Sequence, residues 1–225
     1  MIAIIAAMDV EVEAIKEVME TSEKVCASGI TMYKGSIEGK KVILMKSGVG
    51  KGMAAMSLAI LFENYVIDKV VNVGTAGGLK ADQEVLDAVI STSVVQHDFD
   101  TTIIDGPEGL GLRFDADEAL VNTCDEVLHE MQVRCMRGVI ASGDQFIAED
   151  DKLKRLETFF PEAICAEMEA GAIGQVCAHY HVPFVILRSL SDVAHKEDSH
   201  MDFLTYAKHA SKRSATLCKE LMKRI

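Results

Sequence analysis

Little in this chain points to a staple, a membrane or a second domain. Proline occurs three times in 225 residues, and no run rich in Ser, Gly and Pro interrupts the apolar pattern. A flexible linker has no place to sit, so one compact domain over 1–225 is expected. No stretch of about 18 or more apolar residues occurs, which leaves no candidate for a spanning helix. The opening residues, 1–8, superficially resemble the apolar core of a secretion signal. They form a short run with no charged stretch before it, and acidic residues follow at once. The six cysteines form no C-x-x-C pair, and most stand in apolar segments. Reduced, buried thiols of a cytoplasmic protein are expected ahead of disulfides or zinc. The seven histidines show no metal-ligand spacing, apart from the thin possibility of His97-Asp98-Phe99-Asp100.

Basic charge is also in deficit. Lys and Arg number 23 against 35 Asp and Glu, a formal net charge of −12. Such a surface repels nucleic acid and anionic membranes. The small basic clusters at 152–155 and 219–224 read as solvated helix faces. A small-molecule ligand remains the expected partner.

What is present is an alternation of short apolar runs and amphipathic stretches. Strands are expected at 2–6, 69–73, 86–91, 138–142 and 184–190, and a hairpin at 30–37 and 41–46 around Glu38-Gly39-Lys40. Helices are expected at 8–20, 51–63, 115–131, 168–181 and 201–222. This pattern implies an α/β fold with a largely parallel central sheet, mixed because of the hairpin. Ligands of such sheets lie beyond the carboxyl ends of the strands. Small, polar and charged residues gather at five of those ends.

On the first helix, Glu11 falls on the apolar side, between Ile15 and Val18. A carboxylate there is costly without a partner. It is either a first-turn acid satisfying backbone amides or a catalytic base. Ser47-Gly48-Val49-Gly50-Lys51 lacks the P-loop pattern and reads as a weak phosphate loop or a tight turn. The three glycines of Gly74-Thr75-Ala76-Gly77-Gly78 let backbone approach a ligand closely. Glu167 and Glu169 open a helix; two residues apart, they diverge by about 200° if both are helical. A carboxylate suits the two hydroxyls of a ribose. Arg188 and Asp192 end a very apolar strand, as a structural ion pair or as site residues.

The chain resembles the bacterial 5′-methylthioadenosine/S-adenosylhomocysteine nucleosidases, of the purine nucleoside phosphorylase-like superfamily. The likeness runs from Met1 to the last helix. It is carried by Ala7-Met8-x-x-Glu11, Ser47–Lys51, Gly74–Gly78, Ser142-Gly143-Asp144-x-Phe146, Glu167-Met168-Glu169-Ala170 and Arg188-Ser189-Leu190-Ser191-Asp192. The resemblance implies a three-layer α/β/α fold and hydrolysis of methylthioadenosine and adenosylhomocysteine, with 5′-deoxyadenosine as a further candidate. It implies Glu11 as the base that activates water and Asp192 as the acid that protonates adenine at N7. Met168 and Glu169 would hold the ribose, and Arg188 and Thr75 would orient water and sugar. Phe146 would stack on adenine and the Ile147 backbone would read its edge. Met8, Val49 and Phe203 would line the 5′ pocket, with Gly77 and Ser191 completing the substrate-binding set. A homodimer is implied too, and exposed-looking Ile103 and Ile104 fit one.

The chemistry has its own logic. Cleaving a C–N ribosidic bond passes through an oxocarbenium-like sugar. One acid neutralises the leaving group and one base activates water, so no metal or organic cofactor is called for. A free Asp, with a pKa of about 3.9, loses its proton at neutral pH, so Asp192 would need desolvation or a hydrogen bond to keep it. Thr75 stands where the family commonly has serine, and Leu86 where it has a strand glycine. The segment 101–114 is shorter than the family's, which leaves the 5′ group least defined. The rivals are a purine nucleoside phosphorylase, a hydrolase of another 5′-modified nucleoside, and a non-catalytic nucleoside-binding protein.

Overall fold

The computed structural model describes residues 1–194 and 203–225, with side chains for 1–194 and 206–225. The first half of the chain runs β1 (Ile2–Ala6), α1 (Asp9–Lys16), β2 (Thr21–Ala27), β3 (Ile30–Ile37), β4 (Lys40–Lys46), α2 (Lys51–Asn64), β5 (Lys69–Gly78) and β6 (Ala88–Asp100). A short helix α3 (Thr102–Asp105) and a 3-10 turn (Gly106–Gly109) lead into β7 (Leu110–Asp115). Then come α4 (Glu118–Glu130), β8 (Cys135–Ser142), α5 (Asp150–Phe159), β9 (Ala163–Glu167), α6 (Ala170–Tyr180), β10 (Phe184–Val193) and α7 (Phe203–Met222).

Every residue of β1 is buried. Ile2, Ile4 and Ala6 face Val12 and Ile15 of α1, Leu120 and Leu128 of α4, and Leu217 and Leu221 of α7. Ala3 and Ile5 face the other way, toward Leu58 and Leu61 of α2 and Ile173 of α6. A strand covered by helices on both faces has no polar side to alternate with, hence the unbroken apolar run. The result is the expected three-layer α/β/α arrangement around a mixed sheet.

The strand order is β10-β6-β8-β9-β5-β1-β4-β3-β2, with β7 on β6. Strand β10 also pairs with β5, so β5, β10, β6, β8 and β9 close into a ring. The β1–β4, β1–β5, β5–β10, β6–β8 and β8–β9 pairs are parallel. The β10–β6, β5–β9 and β6–β7 pairs are antiparallel, beyond the expected hairpin. Both β2–β3 and β3–β4 turn through two residues of positive φ. Ser28 and Gly29 stand at 47° and 81°, Glu38 and Gly39 at 49° and 72°. That is the primed geometry that matches strand twist.

Several expected boundaries move. The first helix stops at Lys16 because the chain leaves it to join β3. The Glu20 amide donates to Ser36 O at 2.9 Å, and Ser36 Oγ donates to Glu20 Oε2 at 2.9 Å. The strand expected from Leu86 begins at Ala88, and Leu86 itself sits at φ 72°. The glycine expected there suits that left-handed conformation. The start of the last expected helix, 201–202, lies outside the described residues.

Candidate active site

The glycine motif is not a loop after β5; it is the end of β5, paired in register with the end of β10. Gly74 lies opposite Arg188, Thr75 opposite Ser189, and Gly77 opposite Asp192. The glycines make room for charge. A Cβ on Gly74 would stand 3.2 Å from Glu11 Oε1 and 3.4 Å from Arg188 Cζ. One on Gly77 would stand 3.2 Å from Asp192 Oδ2. Between Leu190 and Asp192 the register shifts. Such a bulge re-aims side chains, and here the neighbours Ser191 and Asp192 line one cavity.

That cavity, of about 230 Å³, is lined by Glu11, Asp192, Met8, Val49, Thr75, Gly77, Phe146, Ile147, Met168, Glu169, Arg188 and Ser191. The structure therefore brings together all the expected site residues whose side chains it describes. Phe203 lies outside them.

Glu11 is 3% exposed. Its Oε2 accepts the amides of Ala7 at 2.9 Å and Met8 at 3.0 Å, and its Oε1 accepts the Thr75 amide at 3.2 Å. Burial raises its pKa above the usual carboxyl value, against those amides and the nearby Arg188 charge. Glu11 thus caps the first turn of α1 and also lines the cavity.

The expected divergence of Glu167 and Glu169 does not occur, because neither lies within the helix. Glu167 ends β9, and Glu169 is the N-cap of α6 at φ −126°. Both are buried. Glu167 accepts the Glu169 amide at 3.0 Å and the Ala170 amide at 2.9 Å, satisfying the start of α6. It also pairs with Arg188 Nη2 at 2.6 Å. Glu169 Oε1 accepts the Gly50 amide at 2.9 Å. Burial and the Glu167 charge push the Glu169 carboxyl up to about 7, with Arg188 and the Gly50 amide opposing.

Arg188 Nη2 also donates to Asn72 Oδ1 at 2.6 Å, and Nη1 to Leu187 O at 3.0 Å. Burial works against the guanidinium charge, but Glu167, Glu169 and Glu11 outweigh it and raise the Arg188 pKa. Asp192 is 3% exposed and accepts the Ser191 hydroxyl on Oδ1 at 2.7 Å. Asn72 was not among the expected site residues. Its signal was there, a lone amide inside the otherwise apolar strand Val70–Val73. Glu167 stands in the same motif as Glu169, but the resemblance implies a role only for Glu169.

The glycine turn Ser47–Lys51 resolves as a strand-to-helix turn, with Gly48 and Gly50 at φ 78° and 91°. The Gly50 amide is taken by Glu169 and the Lys51 amide by Asp144 Oδ1 at 2.7 Å. Lys51 Nζ pairs with Asp98. Asp98, weighed as a metal ligand, is therefore engaged by an ammonium. Among the described residues no group of three His, Cys, Asp or Glu side chains is placed to hold a metal ion.

The family model of the phosphorylase superfamily matches residues 1–223. The 5′-methylthioadenosine/S-adenosylhomocysteine nucleosidase of Oceanobacillus iheyensis is 38% identical over 228 residues, covering 100% of this chain and 99% of that protein. The structure of the corresponding Neisseria meningitidis nucleosidase, in complex with methylthio-immucillin-A, has a TM-score of 0.93 at 34% identity, covering 100% of this chain and 99% of the other. The futalosine hydrolase of Helicobacter pylori strain 26695 has a TM-score of 0.92 at 29% identity, covering 100% and 97%.

Proposed function

The chain belongs to the 5′-methylthioadenosine/S-adenosylhomocysteine nucleosidases of the phosphorylase superfamily, and from that premise we propose how its cavity cleaves the N-ribosidic bond of those two nucleosides. It is an N-glycosyl hydrolase that releases adenine and the 5′-substituted ribose. Glu11 takes a proton from the attacking water. Its three amide contacts fix the carboxylate in front of Gly74, beside the Arg188 guanidinium. Arg188 and Thr75 orient that water and the sugar. Met168 and Glu169 hold the ribose, whose two hydroxyls donate to the Glu169 carboxylate. Asp192 protonates adenine at N7 as the bond breaks. Phe146 stacks on the base, and Ile147 reads its edge through the backbone. Met8 and Val49 receive the 5′ thioether.

Glu11 faces Gly74 and Asp192 faces Gly77. These glycines lie three steps apart along β5, roughly 10 Å at about 3.3 Å per step. That spacing leaves room between base and acid for water, sugar and purine. It is the layout that water attack on one face and leaving-group protonation on the other require.

The observation that carries the hydrolytic reading is the occupancy of the Ser47–Lys51 turn. Its Gly50 and Lys51 amides, which a phosphate would need, already bind the carboxylates of Glu169 and Asp144. With Glu11 alongside, an anionic nucleophile meets charge of its own sign. The test is adenine release from methylthioadenosine in phosphate-free buffer. Equal rates with and without phosphate, and a free thioribose, are expected; a phosphate requirement with a ribose-1-phosphate product refutes the reading.

A second reading concerns only the 5′ group. A futalosine hydrolase superposes over the whole chain, so the scaffold alone does not choose the substituent. The apolar wall of Met8 and Val49 favours a thioether over a bare hydroxyl. The working unit is a single domain and a homodimer. Ile103 and Ile104, 100% and 83% exposed, form an apolar patch that a two-fold partner would bury. The buried free thiols Cys124, Cys165, Cys177 and Cys218 fit a cytoplasmic enzyme. No described helix is long and apolar enough to cross a membrane.

A further inference from the structure

Three charged residues from three of the sequence motifs take no part in the chemistry above: Lys51, Asp98 and Asp144. They meet one another. Lys51 Nζ donates to Asp98 Oδ1, and to Gln96 Oε1 at 3.3 Å. The Asp144 amide donates to Asp98 Oδ2 at 2.9 Å. The Lys51 amide donates to Asp144 Oδ1 at 2.7 Å. The bonds close a cycle linking the start of α2, the end of β6 and the β8–α5 connection.

The cycle joins the two lips of the cavity. Val49 stands two residues before Lys51, and Phe146 two residues after Asp144. Both side chains are about half exposed, at 55% and 50%. The hydrogen-bonded cycle links the backbones of the two lips directly. The Lys51 and Asp98 side chains are only 16% and 17% exposed, so their attraction is less screened than that of a surface pair. Burial raises the Asp98 pKa, yet Lys51 and the Asp144 amide bring it below the usual range. Gly50, at φ 91°, has its Cβ position 3.0 Å from Asp144 Oδ1. A glycine there permits the close approach. The neighbouring Gly50 amide holds Glu169, so the same turn reaches the ribose end of the site.

We propose that Asp144, through its cycle with Lys51 and Asp98, is a positioning residue that sets the base wall and the 5′ wall at a fixed separation, so that a nucleoside filling one end finds the other already in place. This rests on the nucleosidase reading. Asp144 touches no reacting atom, so its loss acts on binding and on discrimination at the 5′ group.

The experiment compares wild type, Asp144→Ala, Asp144→Asn and Lys51→Met on methylthioadenosine and 5′-deoxyadenosine, with calorimetric binding of adenine alone. A charge-assisted hydrogen bond lost from a binding site corresponds to about tenfold in affinity. Asp144→Ala is expected to raise KM for methylthioadenosine about tenfold, with kcat changing much less. Its preference for methylthioadenosine over 5′-deoxyadenosine should shrink, and adenine should bind more weakly. Asp144→Asn keeps an oxygen for the Lys51 amide and should recover much of the loss. Lys51→Met should reproduce the Asp144→Ala pattern. An unchanged substrate preference with both KM values raised alike overturns the proposal and leaves a merely structural role. So does a fall in kcat at constant KM, or wild-type adenine affinity in Asp144→Ala. A wild-type enzyme that cleaves neither nucleoside overturns the nucleosidase reading instead, and the adenine measurement still decides the positioning role of Asp144.

Discussion

Glu169→Gln should make the protein more stable and less active, and only above a certain pH. In the fold the Glu169 carboxyl moves from the ordinary 4.5 up to about 7, because burial and Glu167 oppose its charge. The folded state thus holds a proton that the unfolded chain has released. Stability from this group is fully present below pH 4.5 and is lost as pH rises through about 7. At about 1.4 kcal/mol per pH unit the loss approaches about 3.5 kcal/mol, a ceiling that chain relaxation and water in the open cavity reduce. Glutamine has the same volume, accepts the Gly50 amide as before and never ionises. Its advantage should be near zero at pH 4.5 and reach about 1–3 kcal/mol at pH 8. In a chain of this length that is several degrees in Tm. The assay is thermal unfolding of both proteins from pH 4.5 to 8, without ligand. Activity should move the other way, because the ionised carboxylate is the better acceptor for the ribose hydroxyls. In the wild type, kcat/KM should climb as pH rises through about 7. A Tm difference that does not change with pH, or a glutamine variant less stable at pH 8, refutes the reasoning.

Glu11→Gln and Asp192→Asn should each lower kcat on methylthioadenosine by about 10²–10⁴-fold. On a nitrophenyl riboside, whose leaving group needs no proton, Asp192→Asn should lose much less and Glu11→Gln about as much; equal responses would sink the separate roles. Gly77→Ala places a methyl 3.2 Å from Asp192 Oδ2, so kcat should fall at least tenfold with Tm shifting by only a few degrees. A large Tm loss with normal kcat would show that the glycine serves packing. Light scattering at micromolar concentration should give a dimer, and Ile103→Asp with Ile104→Asp should give a monomer; a fully active wild-type monomer would refute that interface.

The parts legible in the sequence share a cause. A buried strand reads as an unbroken apolar run, so a charge inside or beside one stands out. That exposed Glu11, Arg188 and Asp192 to inspection. What stayed hidden lacked that contrast. Strand β2 shows mostly exposed side chains, so neither alternation nor a run marks it. Strand β9 is five residues beside a helix start, and its burial comes from partners distant in sequence. Strand β7 is mostly half-buried or exposed. Helix α5 buries only Leu156 completely among its ten residues. At the site, placing a helix start at 168 made Glu167 and Glu169 seem opposed. The start at Ala170 lets both face Arg188, and two residues decided which of those geometries held. The glycine motif stands out in the sequence, but its place within β5 does not, because strand pairing with positions 188–193 is a tertiary fact.

The charge inventory connects this geometry to the reaction. Among the described residues, Glu11, Glu167, Glu169 and Asp192 line the cavity with one guanidinium, Arg188. Even with one carboxyl protonated, the carboxylates outnumber the cation. A neutral nucleoside enters such a site without electrostatic penalty and brings hydroxyl donors to it. As the ribosidic bond breaks, positive charge develops on the sugar. Carboxylates already buried and already hydrogen-bonded need not reorganise to meet that charge, which is where preorganised electrostatics contributes most. The excess also bears on the nucleophile. Water crosses a negative field freely, whereas a phosphate dianion does not. Substrate neutrality, cation stabilisation and the exclusion of phosphate thus follow from one feature, an unbalanced cluster of acids around Arg188. That cluster persists because Asn72, the α6 amides and the Gly50 amide each satisfy part of it.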